Sequence, residues 1–350
     1  MTQPLVDVAV GTYNHASFVV QALDSVLAQK TTFDVRLIVA DDCSTDGTQD
    51  ILRSYQRKYR DQVDLLLDTV HRGLSDPKRA YVEVLKRCSA KYVALLEGDD
   101  YWTDALKLRK QVAFLETHPE FVMCGHNVRI IGEGELSNIN EPYFPDPIPD
   151  VLRTEDFIRG IKLPTNSLLF RRRCLANPPM PPWMRKVRHG DKWLYTSIST
   201  FGLTHYDPSI QGVYRKHSGG AVGGCASWSS AKRARVAGND VYFWRKMRKE
   251  VGKFDADFRN RIAAAAMETT RLSLDARMYA YACFHSLVAL TSDRSLKRSI
   301  GGLYGQHFSE AVSSAVDVVR SFLRRFAFRI RVALSPLKRR FLDIANRKPR

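Results

Sequence analysis

Glu97, Asp99 and Asp100 stand in VALLEGDDYW (93–102), where an apolar run meets three acids and two aromatics. Carboxylates gathered this closely repel one another and are costly to desolvate, so a strand end that collects them is suited to holding something positive. Two more polar clusters have the same setting. GTYN (11–14) follows LVDVAV, and DDCSTDGT (41–48) follows VRLIVA. Taken singly, each has a plain structural reading, as a turn, a helix-capping loop or a solvated bend. Their chemistry depends on whether the fold brings them together.

The elements that must position these clusters alternate over the first 130 residues. LVDVAV (5–10), VRLIVA (35–40), VDLLLD (63–68) and KYVALLE (91–97) are apolar, strand-like runs. Between them SFVVQALDSVLAQ (17–29), TDGTQDILRSYQRKY (45–59) and KRAYVEVLKRC (78–88) have helical spacing, and Ser17 offers a cap for the first. This βαβαβαβ order predicts an α/β fold with a mainly parallel sheet flanked by helices. In such sheets ligands bind beyond the carboxyl ends of the strands, so the three clusters should converge on one edge. At 350 residues and 44% hydrophobic content the chain can bury a full core. Six scattered cysteines without a CxxC pair read as reduced, buried thiols of a cytoplasmic protein. The amino terminus has no signal-peptide pattern, and no apolar run reaches membrane-spanning length.

These stretches resemble the family 2 glycosyltransferases of the GT-A fold, which are inverting, metal-dependent enzymes that use nucleotide sugars. The resemblance is carried by VAVGTYNHASFVVQALDSVLAQ, LIVADDCSTDGTQDIL and KYVALLEGDDYWTDALKLRKQVAFLETHPEFVM (91–123). TNSLLFRRRCL and HGDKWLY…YRKHSGG extend it over about the first 225 residues. It implies Mn²⁺ or Mg²⁺ as cofactor, since a divalent cation offsets the charge of the departing diphosphate and takes oxygen ligands from acids and phosphates. Asp99 is then the main metal ligand and Asp100 the second, with Glu97 standing where the family usually has the first Asp of its D-x-D motif. Asp41 and Asp42 fall where the family grips a base such as uracil, Tyr13 offers a stacking face, and Thr12 and Asn14 are in reach of the nucleoside. Lys78 and Arg79 are either partners for diphosphate or ribose, or ordinary helix-surface charges.

The resemblance also implies a base. Asp191, at the family's Gly-Asp position in RHGDKWLY, is expected to take the proton from the acceptor hydroxyl, although an acid at a helix start also reads as an N-cap. His217 matches the family's late His, which completes the metal shell or touches the diphosphate, and it precedes the glycine-rich SGGAVGG loop. Trp102 is either a platform for a sugar ring or a core aromatic. TNSLLFRRR (165–173) reads as a strand with Thr165, Asn166 and Ser167 facing the cleft, and 132–152 reads as a long surface loop.

The expected organisation is a GT-A domain over 1–228 (a nucleotide-sugar half, 1–130, and an acceptor half, 131–228), a helical extension over 229–317, and a basic amphipathic tail over 318–350. Net charge is +17, and residues 320–350 hold eleven Lys/Arg against one acid. There Phe322, Phe326, Ile330, Leu334, Leu337 and Phe341 share one helical face, interrupted near Pro336. A basic helix with an apolar face suits an anionic membrane surface or a protein groove, whereas a nucleic-acid arm has no need of that face; no nucleic acid is expected as a partner. The combined expectation is a cytoplasmic enzyme, peripheral on the inner face of the membrane, that moves a sugar to a lipid-linked glycan. A catalytically inactive, transferase-like adaptor for membrane or nucleic acid is the alternative. A nicotinamide dehydrogenase is disfavoured, because GTYN cannot supply a GxGxxG phosphate turn.

Overall fold

The computed structural model describes residues 3–69, 79–176, 179–187, 190–220 and 228–296, with 299 and 303. The tail over 318–350, and with it the expected amphipathic face, lies outside the described residues. In chain order the elements are β1 Val6–Thr12, α1 Val19–Leu27, β2 Val35–Asp41, α2 Thr48–Lys58, β3 Val63–Leu67, α3 Arg79–Arg87 and β4 Tyr92–Glu97. Then come β5 Tyr101–Trp102, α4 Lys107–Thr117, β6 Phe121–Gly132, β7 Asn140–Pro142, β8 Val151–Leu152, α5 Thr154–Arg159, β9 Leu169–Arg171, α6 Gly190–Ser199 and β10 Leu203–Lys216. The chain continues through α7 Ser230–Val251, α8 Asp255–Asp275 and α9 Tyr279–Ser292.

One sheet organises the first part, with strand order β3-β2-β1-β4-β9-β6-β10-β5. β3, β2, β1 and β4 are mutually parallel, as the alternating pattern predicts. β9 is antiparallel to both its neighbours and hands the sheet on to the parallel β6–β10 pair. β1 is central. Residues on both of its faces are buried, so the strand reads as a continuous apolar run rather than an alternating one. On one face Val6, Val8 and Val10 share a core with Val19, Ala22, Leu23 and Val26 of α1, which recur at helical spacing. Ser17 does not cap that helix. Phe18 holds the N-cap position without a side-chain bond, and the Phe18 and Val19 N–H groups both donate to the His15 carbonyl.

Two expectations change in the middle of the chain. Thr165–Ser167 is a turn of 3-10 helix and only Leu169–Arg171 is strand, because Pro164 opens the turn and Ser167 Oγ donates back to the Pro164 carbonyl. The 132–152 loop contains the short strands β7 and β8, which pair with β6 and β10.

By chain contacts there are two compact units, Met1–Trp228 with Tyr242–Phe258, and Ser229–Val241 with Arg259–Arg350. In the second, the start of α7 and α9 approach so closely that a Cβ on Gly238 would collide with the Tyr281 hydroxyl. No described helix is long and apolar enough to cross a membrane.

Candidate active site

The parallel register places the clusters side by side. Thr12 at the end of β1 pairs with Asp41 at the end of β2, and Gly11 pairs with Glu97 at the end of β4. The turns leaving the strands are stitched together, Asp42 N–H donating to the Thr12 carbonyl at 3.1 Å and Gly98 N–H to the Gly11 carbonyl at 2.9 Å. GTYN, DDCS and EGDD therefore share one edge.

On the β1–β2 side, Tyr13 is 40% exposed. Asn14 adopts φ 53° and uses its side chain locally, its Oδ1 accepting from Thr45 N–H at 2.9 Å, so it holds the two loops together. Asp41 requires a correction as a base-gripping residue. It is buried, and its carboxylate accepts from the Ser44 amide and hydroxyl and from Gln49 Nε2, which anchors the β2–α2 loop. Half-buried Asp42 stands beside it. Thr12 is buried, and its Oγ1 finds no hydrogen-bond partner among the described residues. Lys78 and the side chain of Arg79 lie outside the described residues.

Three side chains close on one point beyond β4. His217 Nε2 lies 3.1 Å from Asp99 Oδ2, and His15 Nε2 lies 3.7 Å from the same oxygen. One donor atom from each of the three falls within 4.8 Å of the others, which makes the trio a chemically suitable set for a divalent ion. Burial alone would raise the Asp99 carboxyl, but His217 and His15 outweigh it and hold Asp99 below the usual carboxylate range. Burial lowers the His15 imidazole, with Asp99 acting against it. Gly98 makes the approach possible. A Cβ there would lie 2.6 Å from Thr12 Oγ1 and 2.9 Å from His15 Nδ1.

Asp100 is not part of this trio, contrary to the expectation of a second metal ligand. Residues 98–99 form a turn closed by the Asp100 N–H donating to the Glu97 carbonyl at 3.1 Å, and Asp100 turns inward to accept the Arg215 N–H at 2.8 Å. Burial, with Asp99 and Glu97 nearby, pushes its carboxyl well up. Arg215 is a residue that sequence reasoning passed over, although it sits in the YRKH stretch. Its Nη1 donates to the Asp99 carbonyl at 2.7 Å, and its guanidinium lies over Tyr101 and Phe18. His15 was likewise unmarked. An isolated histidine after a turn carries no periodic signal, and only its sequence proximity to GTYN hinted at the site.

Asp191 lies in the first turn of α6, where the helix amino terminus favours a negative charge. Its charge reaches Glu97, Tyr81 and Tyr143, so it belongs to the same locality. Glu97 is pushed up to about 8 by burial, then by Asp99 and Asp191, with Thr165 favouring its ionised form. A Glu97 that keeps its proton at neutral pH relieves Asp99 and Asp191 of another negative neighbour.

Trp102 and Asn166 are corrections. Trp102 is 4% exposed, its Nε1 donates to the Asn166 carbonyl at 2.7 Å, and Lys107 Nζ stands 4.0 Å from its ring centroid. A ring enclosed in this way cannot stack on a sugar. Asn166 is fully buried and donates to the Val213 carbonyl at 2.9 Å, tying the turn to β10. Of the proposed acceptor residues, half-buried Thr165 alone borders the acids.

Comparison with known proteins bears on this arrangement. Residues 7–174 match the family model described as Glycosyl transferase family 2. An uncharacterized protein of Mycobacterium tuberculosis is 35% identical over 211 residues, 59% of this chain and 58% of the relative. The Escherichia coli UDP-Glc:α-D-GlcNAc-diphosphoundecaprenol β-1,3-glucosyltransferase WfaP is 29% identical over 117 residues, 33% of this chain and 43% of the relative. The matched segment thus spans about half the length of these relatives. Among solved structures, that of S. aureus TarS 1-349 in complex with UDP-GlcNAc superposes with a TM-score of 0.51 at 15% identity, covering 84% of this chain and 92% of that one. That likeness extends to the fold, a GT-A arrangement with a helical region following it.

Proposed function

Because residues 7–174 form a glycosyl transferase family 2 domain, we propose that the chain transfers a sugar, with inversion, from a nucleoside diphosphate donor to a hydroxyl of a glycan acceptor. The observation that carries this reading is the meeting of Thr12 and Glu97, at the carboxyl tips of the adjacent parallel strands β1 and β4, with Asp99 just beyond β4 and His217 just beyond β10. Asp99 and His217 would hold a divalent cation, Mn²⁺ or Mg²⁺, which supplies the charge that lets a diphosphate leave. Tyr13 stacks on the base and Asp42 accepts from its ring N–H. Asp191 takes the acceptor proton as the hydroxyl attacks the anomeric carbon from the face opposite the diphosphate. Asp191 stands in the first turn of α6, and a protonated Glu97 spares it one negative neighbour.

A UDP-sugar is the favoured donor, supported by the UDP-GlcNAc complex of the structural neighbour and the UDP-Glc named for the E. coli relative. The diphosphoundecaprenol acceptor of that relative supports a lipid-linked glycan, and the basic stretch 320–350 suits work at the inner face of the membrane as a peripheral protein. Asp191→Asn should lower transfer by at least about 10³-fold with UDP affinity unchanged, because the amide keeps the shape and cannot take a proton. Transfer and equilibrium UDP binding measured on the same preparation check this, and near-wild-type turnover would remove Asp191 as base.

A further inference from the structure

We propose that His15 is a third protein ligand of the cation, completing with Asp99 and His217 a site of two imidazoles and one carboxylate that favours Mn²⁺ over Mg²⁺. This rests on the metal-dependent reading above and adds a residue and an ion preference to it.

The distances suit the assignment. In an octahedral shell with bonds of about 2.1 Å, neighbouring ligand atoms lie about 3 Å apart and opposite ones about 4.2 Å. The Asp99 oxygen stands 3.1 Å from His217 Nε2 and 3.7 Å from His15 Nε2, and all three donor atoms fall within 4.8 Å. Small side-chain movements would bring the three around one ion on one side, leaving its remaining positions open to diphosphate oxygens and water.

His15 is held in place for this task by its backbone. Its N–H donates to Thr48 Oγ1 at 3.0 Å, its carbonyl accepts the first two amides at the start of α1, and Asn14 turns the chain toward it at φ 53°. The imidazole is enclosed on its Nδ1 side by Gly98, where even a methyl group would lie 2.9 Å from that nitrogen. Nδ1 is buried and has no hydrogen-bond partner among the described residues, and the same is true of Thr12 Oγ1, which flanks the same glycine. A histidine recruited for packing normally satisfies its buried nitrogen. Here the backbone contacts hold the ring so that Nε2 meets Asp99 at 3.7 Å, while Nδ1 and Thr12 Oγ1 both stand beside Gly98, unbonded among the described residues.

The ion preference follows from the donor types. Mg²⁺ demands oxygen ligands, and imidazole suits first-row transition ions better. The further oxygen donor that Mg²⁺ would favour, Asp100, is turned away and bonded to the Arg215 amide. A His-rich face therefore tilts the site toward Mn²⁺.

Pulsed electron paramagnetic resonance on the full chain with MnCl₂ and UDP tests this without a transfer assay, by counting ¹⁴N couplings at the bound ion. Two imidazole nitrogens are expected in the wild type and one in His15→Ala. The Mn²⁺ Kd of that variant should rise at least about 10-fold, and its Mn²⁺-to-Mg²⁺ affinity ratio should fall. A single imidazole nitrogen in the wild type, which needs no variant to fold, or unchanged coupling in His15→Ala, would overturn the His15 assignment alone. Absence of any Mn²⁺ binding with UDP in the wild type would overturn the functional reading beneath it.

Discussion

At the amino ends of β1 and β2, Asp7 and Arg36 face each other in register; at the carboxyl ends of the same strands, Thr12 faces Asp41. Asp7 is fully buried, and every part of its carboxylate is answered. Arg36 donates to it at 2.8 and 3.0 Å, and the Ser89 and Ala90 amides donate at 2.6 and 2.8 Å. Across the sheet, the acids that follow β4 are crowded instead of answered. Glu97 Oε2 and Thr12 Oγ1 have no partner among the described residues, and Asp99 draws two histidines. A buried carboxylate of the first kind holds the fold together. One of the second kind has binding capacity left over, which is what a phosphate-bound cation can use.

The comparison breaks most sharply by mutation of its two acids. Asp7→Ala strands a partly buried guanidinium and two amides, and should cost about 3–5 kcal/mol, read as a large fall in Tm. Asp99→Asn should leave the Tm of the apo-protein within a few degrees while removing Mn²⁺-dependent UDP binding. If both variants lose stability equally, the two ends are not different in kind.

Lys107 sharpens the point, since its amine is fully buried and has no hydrogen-bond partner among the described residues, yet it lies against Trp102 in the core. Burial brings it down from 10.5 to about 7. Between those values the unfolded chain holds more protons than the folded one, so stability rises with pH; below about 7 the amine is charged in both states and the folded state bears the full penalty. Lys107→Met should therefore stabilise by roughly 1–3 kcal/mol at pH 6, with the gain shrinking toward pH 10 and no effect on UDP affinity. Equal gains at both pH values would remove the buried charge as the cause. The smallest effect belongs to Tyr13→Ala. Loss of an exposed stacking face should weaken UDP about 5-fold, or about 1 kcal/mol, with the Tm unchanged. A titration of the variant that matches wild type would place the base elsewhere.

The parallel half of the sheet was legible because continuous Val, Leu and Ile runs alternate with helical spacing, and that order alone dictates which loops share an edge. The side on which a residue leaves that edge was not. Asp99 and Asp100 are adjacent and equally acidic, yet strand pairing between β5 and β10 turns the second one inward. Trp102 and Asn166 satisfy each other across 64 residues of sequence, a contact that no local pattern announces. His15 and Arg215 escaped notice for the same reason, because each gains its meaning from Asp99, which lies far away along the chain.

Isothermal titration of UDP into the full chain, with and without Mn²⁺, tests the central claim most directly. If the strand tips share one cation and one diphosphate, Mn²⁺ should tighten UDP by at least about 10-fold at a stoichiometry of one, and Asp99→Asn should abolish the difference. Identical UDP binding in the presence and absence of Mn²⁺ would contradict the account.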